Sequence, residues 1–123
     1  MVFNAIARNV DDHVKNISYT MDRDGIWHLS PAYDLTFSVN PEGGLGEMHK
    51  LSINGKQVNV SRVDFRQVAY NMEVRKADLI IDEVHNVVVE WPEFAREAGV
   101  SPEAINQIGH YHLTPSKGVR HTY

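Results

Sequence analysis

With 123 residues, 42% apolar and 23% charged, the chain has the size and composition of one ordinary globular domain. A net charge of −4 argues against a dedicated nucleic-acid binder, which carries a basic face, and the absence of cysteine excludes a disulfide framework or a thiolate zinc site. No apolar run approaches membrane-spanning length and the start MVFNAIARN lacks the marks of a signal peptide, so the expectation is a cytoplasmic protein with no membrane partner.

Val2, Phe3, Ile6 and Ala7 share one helical face. About two turns are marginal as an isolated helix, so this segment reads as the end of a longer one. The charged loop NVDDHVKN follows at residues 9–16. Then ISYTM and IWHLS each alternate apolar with polar residues, and the turn between them contains Asp24-Gly25; this predicts a β-hairpin. Pro31 should end its second strand. Residues 37–50, rich in glycine and proline, read as a flexible loop, and LSINGKQVNV as a second short hairpin turning at Asn54-Gly55.

From Ser61 the period becomes helical. Ser61 and Asp64 resemble a capping box, and Val63, Phe65, Val68, Ala69 and Met72 are the expected buried stripe. A second helix should begin near Lys76 and bury Leu79, Ile80, Val84, Val87, Val88 and Trp91. Pro92 should kink or break it, and Gly99 should stop the chain after FAREA. Trp91 and Phe94, with Val87 and Val88, are expected in the core. Ser101-Pro102 starts a last helix with Ile105, Ile108 and Tyr111 on its apolar stripe. The tail after Pro115 is expected to fray. The fold class is α+β, mostly helical, with no domain boundary in residues 1–123.

Asp11 and Asn16 stand five residues apart with His13 and Lys15 between them. Phosphoryl transfer asks a protein mainly for positioning and charge neutralisation. It needs a carboxylate to engage the attacking hydroxyl and oxygen ligands to hold magnesium against phosphates. One tight loop supplies both if an Asp and an Asn project to one point, as protein kinases arrange at i and i+5. A further Asp arriving after a hairpin completes such a magnesium site, and Asp34 in PAYDL has that place. D-x-x-x-x-N alone is common; the order helix, D-x-H-x-K-N, hairpin, lone Asp is far more specific.

The stretch ARNVDDHVKNISYTMDRDGIWHLSPAYDLTFS closely resembles the C-terminal lobe of HipA-like serine/threonine kinases, the toxin halves of bacterial toxin–antitoxin pairs. The D-x-H-x-K-N loop and the P-x-Y-D element carry the resemblance, and LSINGKQVNVSRVDF extends it to about Met72. The resemblance implies a kinase-like C-lobe: a catalytic-loop and hairpin segment followed by a helical bundle. By position, Asp11 would be the catalytic base, His13 and Lys15 would support the loop, and Asn16 and Asp34 would hold Mg²⁺ with ATP. It also implies a HipB-like DNA-binding antitoxin and a protein substrate of the translation machinery as partners. Asp12 departs from many relatives, which carry glycine there. The family's N-terminal ATP-binding lobe has no counterpart here: neither G-x-G-x-x-G nor a P-loop motif occurs, and GGLG at 43–46 lies after Asp34. The chain is therefore expected to be a fragment, inactive alone, whose uncovered apolar surface invites a homodimer.

Two other classes compete. The Asp11–Asp12–His13 cluster could serve a metal-dependent phosphoesterase if Asp34 and His49 added ligands. Alternatively, the helices form a non-catalytic interaction module, a truncated toxin domain that contacts an antitoxin or a second copy of itself. Among the remaining histidines, His28 is expected on the hairpin surface, and His110 and His112 at the surface, because i and i+2 do not share a helix face. His85 is isolated.

Overall fold

The computed structural model describes residues 1–40 and 44–113. In chain order these form α1 (Val2–Ile6), a 3₁₀ turn (Val14–Asn16), β1 (Tyr19–Met21), β2 (Trp27–Leu29), a second 3₁₀ turn (Gly44–Glu47), α2 (Arg62–Asn71), α3 (Ala77–Val89), α4 (Trp91–Glu97) and α5 (Pro102–Tyr111). The architecture is α+β and mostly helical: a small antiparallel hairpin precedes a helical bundle. The expected fraying after Pro115 lies outside the described residues.

The bundle forms around α3, which packs against α1, α2 and α4, while α4 packs against α5. Its core joins Ala5 and Ile6 of α1, Ile53, Val60, Phe65, Ile81 and Val88, with Phe3, Val68 and Val84 partly buried against it. α1 is too short to persist alone and is held by this burial. The chain returns to it at the far end, where Leu113 N–H donates to the Ile6 carbonyl at 2.9 Å.

Helix ends follow the local chemistry. Ser61 and Asp64 form the expected capping box at α2, with Ser61 N–H donating to Asp64 Oδ2 at 2.8 Å. Pro92 breaks the helical run: α3 ends at Val89, and Pro92 falls in the first turn of α4, where a missing N–H costs nothing. Gly99, at φ 76°, closes α4, and the following Val100 N–H reaches back to the Ala95 carbonyl at 2.9 Å. Ser101 caps α5 by accepting from Ala104 N–H at 3.3 Å.

Several burial expectations are corrected. Val63 of α2 and Met72, the residue just past its end, are exposed, and the polar Asp64 is buried instead. On α3, Leu79, Ile80 and Val87 face out while Ile81 and Val88 carry the burial. Val88 is in the core as expected and Trp91 is half-buried, but Val87 and Phe94 are about half exposed and line an apolar cleft of about 420 Å³ with Phe3, Phe37, Trp91 and His112. The wide apolar face of α3 has helices on only part of its circumference. Trp91 Nε1–H donates to the Ile105 carbonyl in the first half of α5 at 3.0 Å, and its ring meets His112, just past the end of α5, edge-on at 5.6 Å. His112 is half-buried rather than at the surface, and burial holds its imidazole below the usual histidine range.

The hairpin has the expected type and turn. Tyr19 pairs with Leu29, Thr20 with His28 and Met21 with Trp27, and Gly25 takes φ 81° at the turn. Asp22 braces the turn by accepting from the backbone N–H groups of Asp24 and Ile26, both at 2.9 Å. Every residue of both strands is exposed, because neither sheet face is covered among the described residues. The second expected hairpin reduces to one bridge, Ile53 with Lys56, around the Asn54-Gly55 turn. The glycine-rich loop contains a 3₁₀ turn rather than flexible chain alone. A Cβ on Gly46 would come within 2.5 Å of Asn40 Cβ, so only glycine permits that approach.

Candidate active site

Past α1 the chain turns at Arg8, which takes φ 61°, and enters the 9–16 loop. The 3₁₀ turn Val14–Asn16 curls the loop back on itself, with Asn16 N–H bonded to the His13 carbonyl at 3.0 Å. That curl lets the Asn16 side chain reach two partners at once. Its Nδ2 donates to the Asp11 carbonyl at 3.2 Å and to Asp34 Oδ2 at 2.7 Å. Asp34 arrives from beyond β2 in the left-handed region, at φ 54°. This is an uncommon backbone state for a residue with a side chain. One place down the chain, Tyr33 O–H donates to the Lys15 carbonyl at 2.7 Å and makes a second tie between the segments.

The structure therefore brings Asp11, Asn16 and Asp34 into one corner. Asp11 is exposed and joins the corner through its backbone carbonyl and N–H. Lys15 is also exposed. His13 is half-buried, and its Nδ1 is enclosed with no hydrogen-bond partner among the described residues. A cavity of about 530 Å³ adjoins the corner, lined by His13, Asn16, Asp34, Tyr33, Leu29 and Leu51 among others.

The Asn16 amide uses both N–H bonds inside the protein, which leaves Oδ1 as the atom open to a ligand. With the Asp34 carboxylate it offers two hard oxygen donors from neighbouring side chains. That set fits Mg²⁺, which takes one or two protein ligands and completes its shell with water and phosphate oxygens. Among the described residues no group of three or more His, Asp or Glu could hold a metal unaided. The phosphoesterase cluster is not assembled. Asp11 and Asp12 point apart, and His49 is engaged by Asp12 in the interior rather than by Asp34.

Asp12 has a definite task. It is buried, accepts from His49 Nδ1 at 2.9 Å, and takes the backbone N–H groups of Lys50 and Leu51 at 2.8 and 3.3 Å. The loop is thus pinned to residues 49–51, and alternation of burial sends Asp11 outward. Beneath the corner lies Asn9, 1% exposed. Its Nδ2 donates to the Asp34 carbonyl at 2.9 Å, and its Oδ1 accepts from Ser38 Oγ at 3.1 Å. Ser38 Oγ in turn accepts from Asp11 N–H at 3.0 Å. The sequence reading missed Asn9, Ser38 and the inward role of Asp12. A buried asparagine two places before Asp11 has no periodic signature, and His49 is 37 residues from the carboxylate it binds.

No curated protein and no solved structure matches the chain. The family model of the HipA-like C-terminal domain matches residues 1–92, a span that takes in the corner, the hairpin, α2 and α3. The chain belongs to the HipA-like C-terminal domain family.

Proposed function

We propose that this chain is the C-terminal catalytic lobe of a HipA-like kinase that transfers the γ-phosphoryl group of ATP to a protein serine or threonine. The observation that carries the reading is the single Asn16 amide held by both the Asp11 carbonyl and the Asp34 carboxylate. It ties the Asp11 backbone to the Asp34 carboxylate through one side chain before substrate arrives. Asp11 orients the acceptor hydroxyl and takes up its proton. Asn16 Oδ1 and Asp34 hold the metal, and Lys15 and His13 support the loop. Magnesium bound with ATP supplies charge neutralisation on the phosphate oxygens. The phosphate-covering loop and its lysine belong to an N-terminal lobe, and no G-x-G-x-x-G occurs in these 123 residues. Family membership further supports a toxin–antitoxin setting; a HipB-like antitoxin and a translation-machinery substrate are the partners this reading proposes.

The test is a Mn²⁺ titration of the chain followed by NMR line broadening. Broadening centred on Asn16 and Asp34, weakened about tenfold or more by Asp34→Ala and retained in Asp11→Ala, is the expected result. Diffuse broadening over the acidic surface that Asp34→Ala leaves unchanged would reject the reading. It would favour a non-catalytic module, for which the exposed apolar hairpin face formed by Tyr19, Met21, Trp27 and Leu29 is the supporting observation.

A further inference from the structure

We propose that Ser38 and Asn9 are positioning residues that lock the backbones of Asp11 and Asp34 into one geometry. The proposal rests on the kinase reading of the corner for its meaning, though not for its measurement. The hydrogen bonds form a continuous relay: Asp11 N–H to Ser38 Oγ at 3.0 Å, Ser38 O–H to Asn9 Oδ1 at 3.1 Å, and Asn9 Nδ2 to the Asp34 carbonyl at 2.9 Å. The Asp34 carbonyl can only accept, so Asn9 faces it with Nδ2 and turns Oδ1 to Ser38, whose O–H donates to it while its oxygen accepts from the Asp11 amide. Asn9 then presents Nδ2, whose second hydrogen goes to Asn4 Oδ1 at 3.3 Å. An amide turned the other way would set Asn9 Oδ1 against the Asp34 carbonyl, an acceptor against an acceptor.

The relay does work that the apolar core does not. Asp34 sits at φ 54°, a state an aspartate leaves when nothing holds it. The Asn9 bond holds the carbonyl of that same residue. If it is released, Asp34 relaxes towards the extended region, and its carboxylate swings away from Asn16 Nδ2. The Asp11 amide is held by the Ser38 hydroxyl that also donates to Asn9, so loss of that side chain loosens both members of the site together. Burial makes the relay stiff, because Asn9 is enclosed and no water competes for its amide. Neither residue belongs to the apolar cluster that holds the helices.

Ser38→Ala and Ser38→Thr in the full 123-residue chain test this. Two readouts are needed besides melting temperature: hydrogen exchange at the Asp11 backbone and Asn16 side-chain amides, and Mn²⁺ affinity. Ser38→Ala should speed exchange at both amides and weaken Mn²⁺ by about tenfold, with a melting shift of about 4 °C. Ser38→Thr keeps the hydroxyl and should restore both readouts. An unchanged Asn16 exchange rate in folded Ser38→Ala would overturn the proposal. If Ser38→Ala does not fold, Ser38→Cys, which keeps the size and weakens both bonds, gives the same comparison. A wild-type chain that binds no Mn²⁺ defeats the kinase reading instead, and the exchange readout still decides the relay.

Discussion

Asp64 shows what a single residue can contribute. It was legible as a helix-start signal, and the capping box is present. Its burial was not legible, because half its partners come from the preceding turn. Asn54 Nδ2 and Lys56 Nζ donate to the carboxylate at 2.9 and 3.0 Å, together with the backbone and hydroxyl of Ser61 at 2.8 and 2.7 Å. Hydrogen bonds from Asn54, then Ser61 and Lys56, hold this carboxyl well below the usual aspartate range. A folded-state value depressed below the unfolded one stabilises the fold above the unfolded value of about 4, and that stability drains away as pH falls further. Asp64→Asn should therefore cost about 2 kcal/mol at pH 7 by urea unfolding. The gap from wild type should narrow steadily in titrations carried below about pH 4. A gap that stays constant with pH would mean the charge is not what stabilises the turn.

At the scale of the element, the hairpin and the bundle respond to different physics. Alternation of apolar and polar residues predicts strand type because side chains point to opposite faces. It does not say whether anything covers the apolar face. Here Trp27 is 65% exposed beside Met21, so truncating it removes little buried area. Trp27→Ala should change unfolding free energy by less than about 0.5 kcal/mol. A loss of several kcal/mol would show that the hairpin packs on the body in solution. The helical stripes had the same blind spot. Period 3.6 identified α2 and α3, but among the described residues nothing buries Val63, Leu79 and Val87 or Met72 just past α2. Pro92, Gly99 and Ser101 acted as expected because breaking and capping are local events.

Across the whole molecule, few buried side chains join α1 to the bundle, and Ile81 is central among them at 5% exposure. Ile81→Ala should cost about 3 kcal/mol in denaturant unfolding, a large share of a total of about 5–15 kcal/mol. Because α1 leads directly into the 9–16 loop, that variant should also loosen the corner of Asp11 and Asn16. A cost below about 1 kcal/mol would mean α1 is held by something other than this core.

The chain alone determined the order of helix, charged loop, hairpin and lone aspartate, and with it the family, and it singled out Asp11, Asn16 and Asp34 as candidates. Those signals are spacings along the backbone, which survive without knowledge of any fold. Tertiary packing decided the rest: that Asp12 turns inward to His49 while Asp11 faces out, that one Asn16 amide joins Asp11 to Asp34, and that Asn9 and Ser38 stand beneath them. These contacts join residues 9–16 to residues 34–51. Hydrogen-bond partners so distant in sequence are selected by which surfaces the apolar core brings together, and periodicity carries no record of that choice.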